Sequence, residues 1–220
     1  MLPYRIGEVF EGVIPVSGAS VIGSTGARNT GATHLAEWLE KCEKIWDENG
    51  QGTRTFREQL DYFAQLSAQF PIAKHRVVFA ASGKLPAAAR LDENALGVAE
   101  HKLYWAVTKS AKESVYLCAI TNSETLRTKV AHFQSQGQWG ARDFDKVMFN
   151  LSIPLFDSSQ TLHQELSKAA KRAEKISGMI DIDEGDYFVT VRKRIREALY
   201  DDGIGEKIDK LVEKLLSDAG

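Results

Sequence analysis

With 220 residues, 43% of them hydrophobic and 26% charged, the chain can bury one substantial core, or one core with a helical appendage, but not several large domains. A formal net charge of −2 excludes a global field that draws the chain to nucleic acid, so any polyanion site must come from local clustering. The two cysteines, Cys42 and Cys118, lie inside apolar helical patterns and read as small core residues, and no stretch approaches the ~20 apolar residues of a membrane span.

The N-terminus lacks a basic region followed by an apolar run, which with the cysteine usage predicts a reducing, cytoplasmic setting. Residues 6–16 mix β-formers with Gly7, Gly12 and Pro15 and predict one or two short strands. The small-residue tract from Ser17 to Gly31 has neither the Gly-Lys-Ser/Thr ending of a phosphate loop nor the dinucleotide fingerprint. It reads as a loop, with Arg28 and Asn29 as its ligand-capable side chains. Thr33 to Glu48 is helical by pattern, with Leu35, Trp38, Leu39, Cys42, Ile45 and Trp46 on one face. A capping box at Thr55 to Glu58 opens a second helix whose spacing puts Phe56, Leu60, Phe63, Leu66 and Phe70 inward until Pro71 stops it.

A β region follows. His75 to Ala80 reads as a strand, Ser82-Gly83-Lys84 as a turn, Ala87 to Leu91 as a partner strand, and Val98 to Thr108 as a further one. Here Lys74, Arg76, Lys84, Arg90, Lys102, Lys109 and Lys112 face only Asp92, Glu93 and Glu100. Such a surplus in a neutral chain is what a phosphate-contacting surface requires, and it is equally what a solvated strand face carries. Helices are predicted over Lys112 to Ile120 and from Ser123 onward. Gly137 to Phe156 then runs from a Gly-flanked aromatic turn into an apolar strand closed by Ile153-Pro154-Leu155. Beyond it, Asp157-Ser158-Ser159 offers a cap, and Leu162, Leu166, Ala169, Ala173 and Ile176 repeat at four-three spacing, a narrow seam suited to helix pairing. Two more amphipathic helices follow, Tyr187 to Tyr200 and one built on Ile208, Leu211, Val212, Leu215 and Leu216. The fold class is therefore α+β, a small mixed β-sheet packed with helices over residues 1–156, followed by a helical extension over 157–220.

Catalytic constellations are sparse. Asp92 with Glu100-His101-Lys102 has the acid and acid-x-lysine form of metal-dependent nucleases, a short match that arises easily by chance. The five histidines are scattered, and no serine sits in a Gly-x-Ser-x-Gly elbow.

Four segments carry a family resemblance: His101-Lys102-Leu103-Tyr104-Trp105-Ala106, Tyr116 to Ser123, Gly137 to Lys146, and Leu151-Ser152-Ile153-Pro154-Leu155-Phe156-Asp157 ahead of a helix. With Leu60-Asp61-Tyr62 and Leu66 to Gln69 they resemble, over roughly Glu37 to Ile176, the C-terminal target-recognition region of bacterial adenine-specific DNA methyltransferases of the single-chain restriction-modification type. They are also similar to recognition domains of type I specificity subunits. The resemblance implies duplex DNA recognition in restriction-modification or phage defence. Family catalysis needs a glycine-rich AdoMet loop and an Asn/Asp-Pro-Pro-Tyr/Phe motif, whereas Pro3, Pro15, Pro71, Pro86 and Pro154 are all isolated here. The chain is thus expected not to be an enzyme itself and to hold no cofactor, with AdoMet belonging to a catalytic methyltransferase partner. Arg76, Lys84, Arg90, Lys102, Gln138, Trp139 and Arg142 are the expected DNA contacts: Lys84 and Arg90 for phosphates, Arg142 for a base edge or a phosphate, and Gln138 for amide readout. Trp139 either wedges beside a base or plugs the core under its turn. Leu162, Leu166 and Ile176 are the expected partner contacts. The alternative from a different class is a protein-interaction adaptor working through the C-terminal amphipathic helices.

Overall fold

The computed structural model describes residues 21–80, 86–95, 97–99, 102–134, 136–137, 140–141 and 151–217. The predicted strands of residues 6–16 and the Ser82-Gly83-Lys84 turn lie outside this set. The chain divides into two compact units, one made of Met1–Lys74 and Asp92–His101, the other of His75–Leu91 and Lys102–Gly220.

In the first unit, helix α1 (Ser24–Asn29) occupies part of the tract that the sequence reads as a loop. Its start is fixed from outside the tract, because the Ser24 N–H donates to Glu43 at 2.9 Å and Arg28 pairs with Glu40. Gly31, at φ +80, turns the chain into helix α2 (Thr33–Asn49), a backbone conformation that favours glycine. The buried face of α2 is narrower than its apolar spacing predicts: Ala36 and Leu39 are buried, while Trp38 and Ile45 are exposed. Trp46 finds a polar partner instead, donating to the Arg54 carbonyl at 2.7 Å.

The predicted capping box forms, with Glu58 N–H donating to Thr55 Oγ1 at 3.2 Å and Thr55 N–H to Glu58 at 2.8 Å. Helix α3 (Phe56–Leu60) nevertheless ends after five residues. The Asp61 carboxylate captures the N–H groups of Leu66 and Ser67 at 3.1 and 2.8 Å, drawing the chain into short 3₁₀ turns. Phe63 then adopts φ +54 and is 79% exposed rather than inward. Leu66 still reaches the core of this unit, beside Val21, Ala27, Ala36 and Leu39. Buried Gln69 ties in the second segment, accepting from Ala99 N–H at 2.7 Å and donating to its carbonyl at 2.8 Å.

The second unit holds a three-stranded sheet in the order β2, β1, β3, from β1 (Arg76–Ala80), β2 (Ala88–Leu91) and β3 (Leu103–Val107). Both pairings are antiparallel, with Arg76 opposite Leu91 on one side and Val107 on the other, so the sheet is antiparallel where a mixed one was expected. Helix α4 (Ala111–Asn122) starts at Ser110, whose hydroxyl accepts from Glu113 N–H at 3.2 Å. Ser123 both ends α4 and caps α5 (Glu124–Ala131), accepting from Leu126 N–H at 3.1 Å. At the same junction, the Asn122 side chain pairs with both backbone groups of Ala88, each at 2.9 Å, and fastens α4 to β2.

The C-terminal helices are α6 (Thr161–Ser177), α7 (Phe188–Asp201) and α8 (Ile204–Ser217), and Gly203 at φ +78 makes the turn between the last two. Residues 157–217 share a core with the sheet-bearing part of this unit rather than forming a separate layer. Leu166, Ala169 and Ala170 of α6 pack with Val115, Tyr116, Ala119 and Ile120 of α4 and with Ile204, Ile208, Val212 and Leu215 of α8. The segment 151–157 is not the predicted strand: it forms no sheet pairing, and Ile153 N–H turns back to the Leu151 carbonyl at 3.0 Å. It is held by side chains: Tyr116 Oη donates to the Pro154 carbonyl at 2.9 Å, Phe156 packs edge-on to Tyr116, and Asp157 N–H donates to His163 Nδ1 at 2.9 Å. Among the described residues, no helix is long and apolar enough to cross a membrane.

Candidate nucleic-acid interface

The predicted DNA contacts are distributed unevenly. Arg76, the first residue of the central strand β1, is 2% exposed. Burial lowers its guanidinium from the usual arginine range. It is a core residue and not a surface contact, which corrects its assignment to the DNA face. Arg90, on β2, is partly buried and donates through Nε to Glu174 of α6 at 3.0 Å. Lys102 is exposed at the start of β3. Lys84, Gln138, Trp139 and Arg142 lie outside the described residues. Around two of them, the two-residue strands β4 (Gln136–Gly137) and β5 (Gly140–Ala141) pair antiparallel, Gly137 opposite Gly140.

The residues expected to meet a partner protein also need correction. Leu166 is wholly buried, and Leu162 and Ile176 pack against the same cluster. The four-three repeat that reads as a coiled-coil seam is satisfied within the chain by α4 and α8.

What sequence reasoning missed is an arginine-walled cleft of about 470 Å³ in the second unit. Its floor is apolar, from Val115, Cys118, Ala119, Ala170, Ala173, Ile195, Leu199 and Ile208, and its wall carries Arg90, Arg127, Arg192 and Arg196. These guanidiniums are already engaged. Arg127 Nε donates to Glu124 at 2.7 Å and Arg196 to the other oxygen of the same carboxylate at 2.7 Å. Arg192 donates to the Pro86 carbonyl at 2.9 Å and lies over the Phe188 ring at 5.3 Å. Asp209 accepts from the N–H of Glu124 at 2.8 Å and from Tyr200 Oη. The partner of Arg196 is brought in by the fold, Glu124 lying 72 residues away in sequence.

This chemistry is that of a closed ionic network. A phosphate entering the cleft would compete with carboxylates already in place, so the cleft walls do not present open cationic sites. Burial pushes the Cys118 thiol up to about 12, which makes it an inert floor residue at neutral pH and not a nucleophile. The Arg127 hydrogen bond, together with the charges of Arg127 and Arg196, holds the Glu124 carboxyl below its ordinary value of 4.5. A depressed folded-state value means that the network's stabilisation is present above that ordinary value and is lost as pH falls through the folded one. Glu124→Gln is expected to lower the urea midpoint at neutral pH and to flatten its decline below about pH 4.5; an unchanged acid limb would show that the network carries no linkage.

The nuclease reading gains no geometry. Among the described residues no group of three or more His, Cys, Asp or Glu side chains is placed to hold a metal ion, and Asp92 accepts from Asn94 N–H at 3.0 Å in a local turn. Glu100 lies outside the described residues. Comparison of the chain with protein-family models, with curated proteins and with solved structures finds no match.

Proposed function

We propose that the chain is a DNA target-recognition domain that reads duplex sequence for an adenine methyltransferase held in another domain or subunit, in restriction-modification or phage defence. The observation that supports this reading is the packing of two of the resembling segments on each other. Tyr116 of the Tyr116 to Ser123 run donates to Pro154 and packs on Phe156 of the Leu151 to Asp157 segment, 38 residues further on. Asn122 of the same run clasps Ala88 in the strand that carries Arg90. These two resembling segments thus hold each other in place. A recognition domain requires such rigidity, because base readout depends on side chains held in register.

Sequence reading is tested by incubating the chain with a pool of random-sequence duplexes and sequencing what it retains at low salt. The expected result is enrichment of one short motif, lost or relaxed in Arg142→Ala, since a bidentate base contact contributes about 1–3 kcal/mol of discrimination. Retention of duplex without any enriched motif would contradict the recognition role.

A specific observation favours a second reading, the protein-interaction adaptor, in altered form. Met179, Ile182, Tyr187, Phe188 and Val189 are 63% to 82% exposed within eleven residues. The loop between them is pinned, with Asp186 accepting from Asp183 N–H at 3.0 Å and from Arg194. Clustered exposed aromatics are typical of protein interfaces. Any protein contact would therefore use this loop rather than the buried seam.

A further inference from the structure

We propose that the outer face of α6 is a phosphate-backbone contact for duplex DNA, a placement that rests on the recognition reading above. Lys168, Lys171 and Lys175 recur at three- and four-residue offsets, which puts them on one stripe about 10 Å long. All three are exposed, and none forms an ion pair among the described residues. Of the two acids of the helix, Glu174 is committed to Arg90, and Glu165, one turn before Lys168, forms no ion pair with it.

The stripe continues onto a second element. Ser167 Oγ donates to the Lys112 carbonyl at 3.1 Å, which brings the exposed first turn of α4 against this part of α6. Lys109 and Lys112, both exposed, belong to the basic surplus that the sequence places in the strand region. Lys112, one member of that surplus, therefore lies on an element that meets α6.

The molecule supplies its own contrast. On α8, Lys207, Lys210 and Lys214 have the same spacing, yet Glu206, Asp209 and Glu213 are interleaved with them. Lys210 pairs with Glu206, and Glu213 with Lys129. The same lysine spacing is thus interleaved with acids on α8, where Lys210 is paired, and carries no ion pair on α6 among the described residues. A duplex, with one charge per about 1.7 Å of axis, is the ligand that such an open row of ammonium groups fits.

The test measures binding of the full chain to a short fluorescent duplex across a salt series, for the wild type, for Lys168→Ala/Lys171→Ala/Lys175→Ala, and for Lys207→Ala/Lys210→Ala/Lys214→Ala. Thermal melting confirms that each variant is folded. Losing three phosphate contacts reduces the slope of log K against log salt by about 2.7, so the affinity drop between about 50 and 200 mM salt shrinks roughly 40-fold. The α8 variant is expected to leave the slope nearly unchanged. Equal slopes for the wild type and the α6 variant overturn this placement while leaving the recognition reading intact, and equal losses in both variants overturn it in favour of a mere net-charge effect. Absence of wild-type binding at low salt removes the recognition reading itself, and this inference with it.

Discussion

Leu166→Ala is expected to lower the unfolding free energy by about 3–4 kcal/mol, the range for a leucine truncated in a core that relaxes only partly. Leu166 is wholly buried where α4, α6 and α8 meet, so the lost methylene contacts and the residual cavity add. Urea unfolding of the chain alone measures this, as a lower midpoint at unchanged slope. The outcome also decides between two roles for the four-three repeat on α6. A residue serving an external partner would cost well under 1 kcal/mol in the isolated chain.

Tyr116→Ala is expected to be at least as damaging, at about 4 kcal/mol, because a buried aromatic ring and its hydrogen bond are removed together. Tyr116 is wholly buried, packs beside both Phe156 and His163, and its hydroxyl holds the Pro154 carbonyl. Tyr116→Phe separates the two contributions: it keeps the ring and gives up only the hydrogen bond, for about 1 kcal/mol. In Tyr116→Ala the segment 151–157 also loses its main anchor, so its backbone amides should exchange with solvent faster than in the wild type. A Tyr116→Phe variant as unstable as Tyr116→Ala would show that the hydroxyl, and not the ring, fixes this segment.

Local chemistry was legible where it decides local structure. Thr55 and Glu58 announced their capping box, Ser123 its helix start, and β-branched Val77 and Val78 their strand. The apolar run from Phe56 to Phe70 misled because periodicity says nothing of side chains that compete for backbone N–H groups, as Asp61 does for Leu66 and Ser67. Burial of charge was equally hidden. In sequence Arg76 is indistinguishable from its basic neighbours Lys74 and Arg90, yet the fold buries it. The Glu124 network joins residues from α5, α7 and α8, a convergence that no spacing encodes. For the candidate interface, the basic surplus near the strands was readable, whereas its continuation onto α6 through the Ser167 to Lys112 contact required the packing.

The central claim, that this chain binds duplex DNA, is tested most directly by titrating the unmodified chain against a short labelled duplex and following fluorescence anisotropy at low and at physiological salt. Saturable binding that weakens steeply as salt rises is expected, because backbone contacts release counterions. No change in anisotropy at about 50 mM salt, where backbone contacts are strongest, would contradict it.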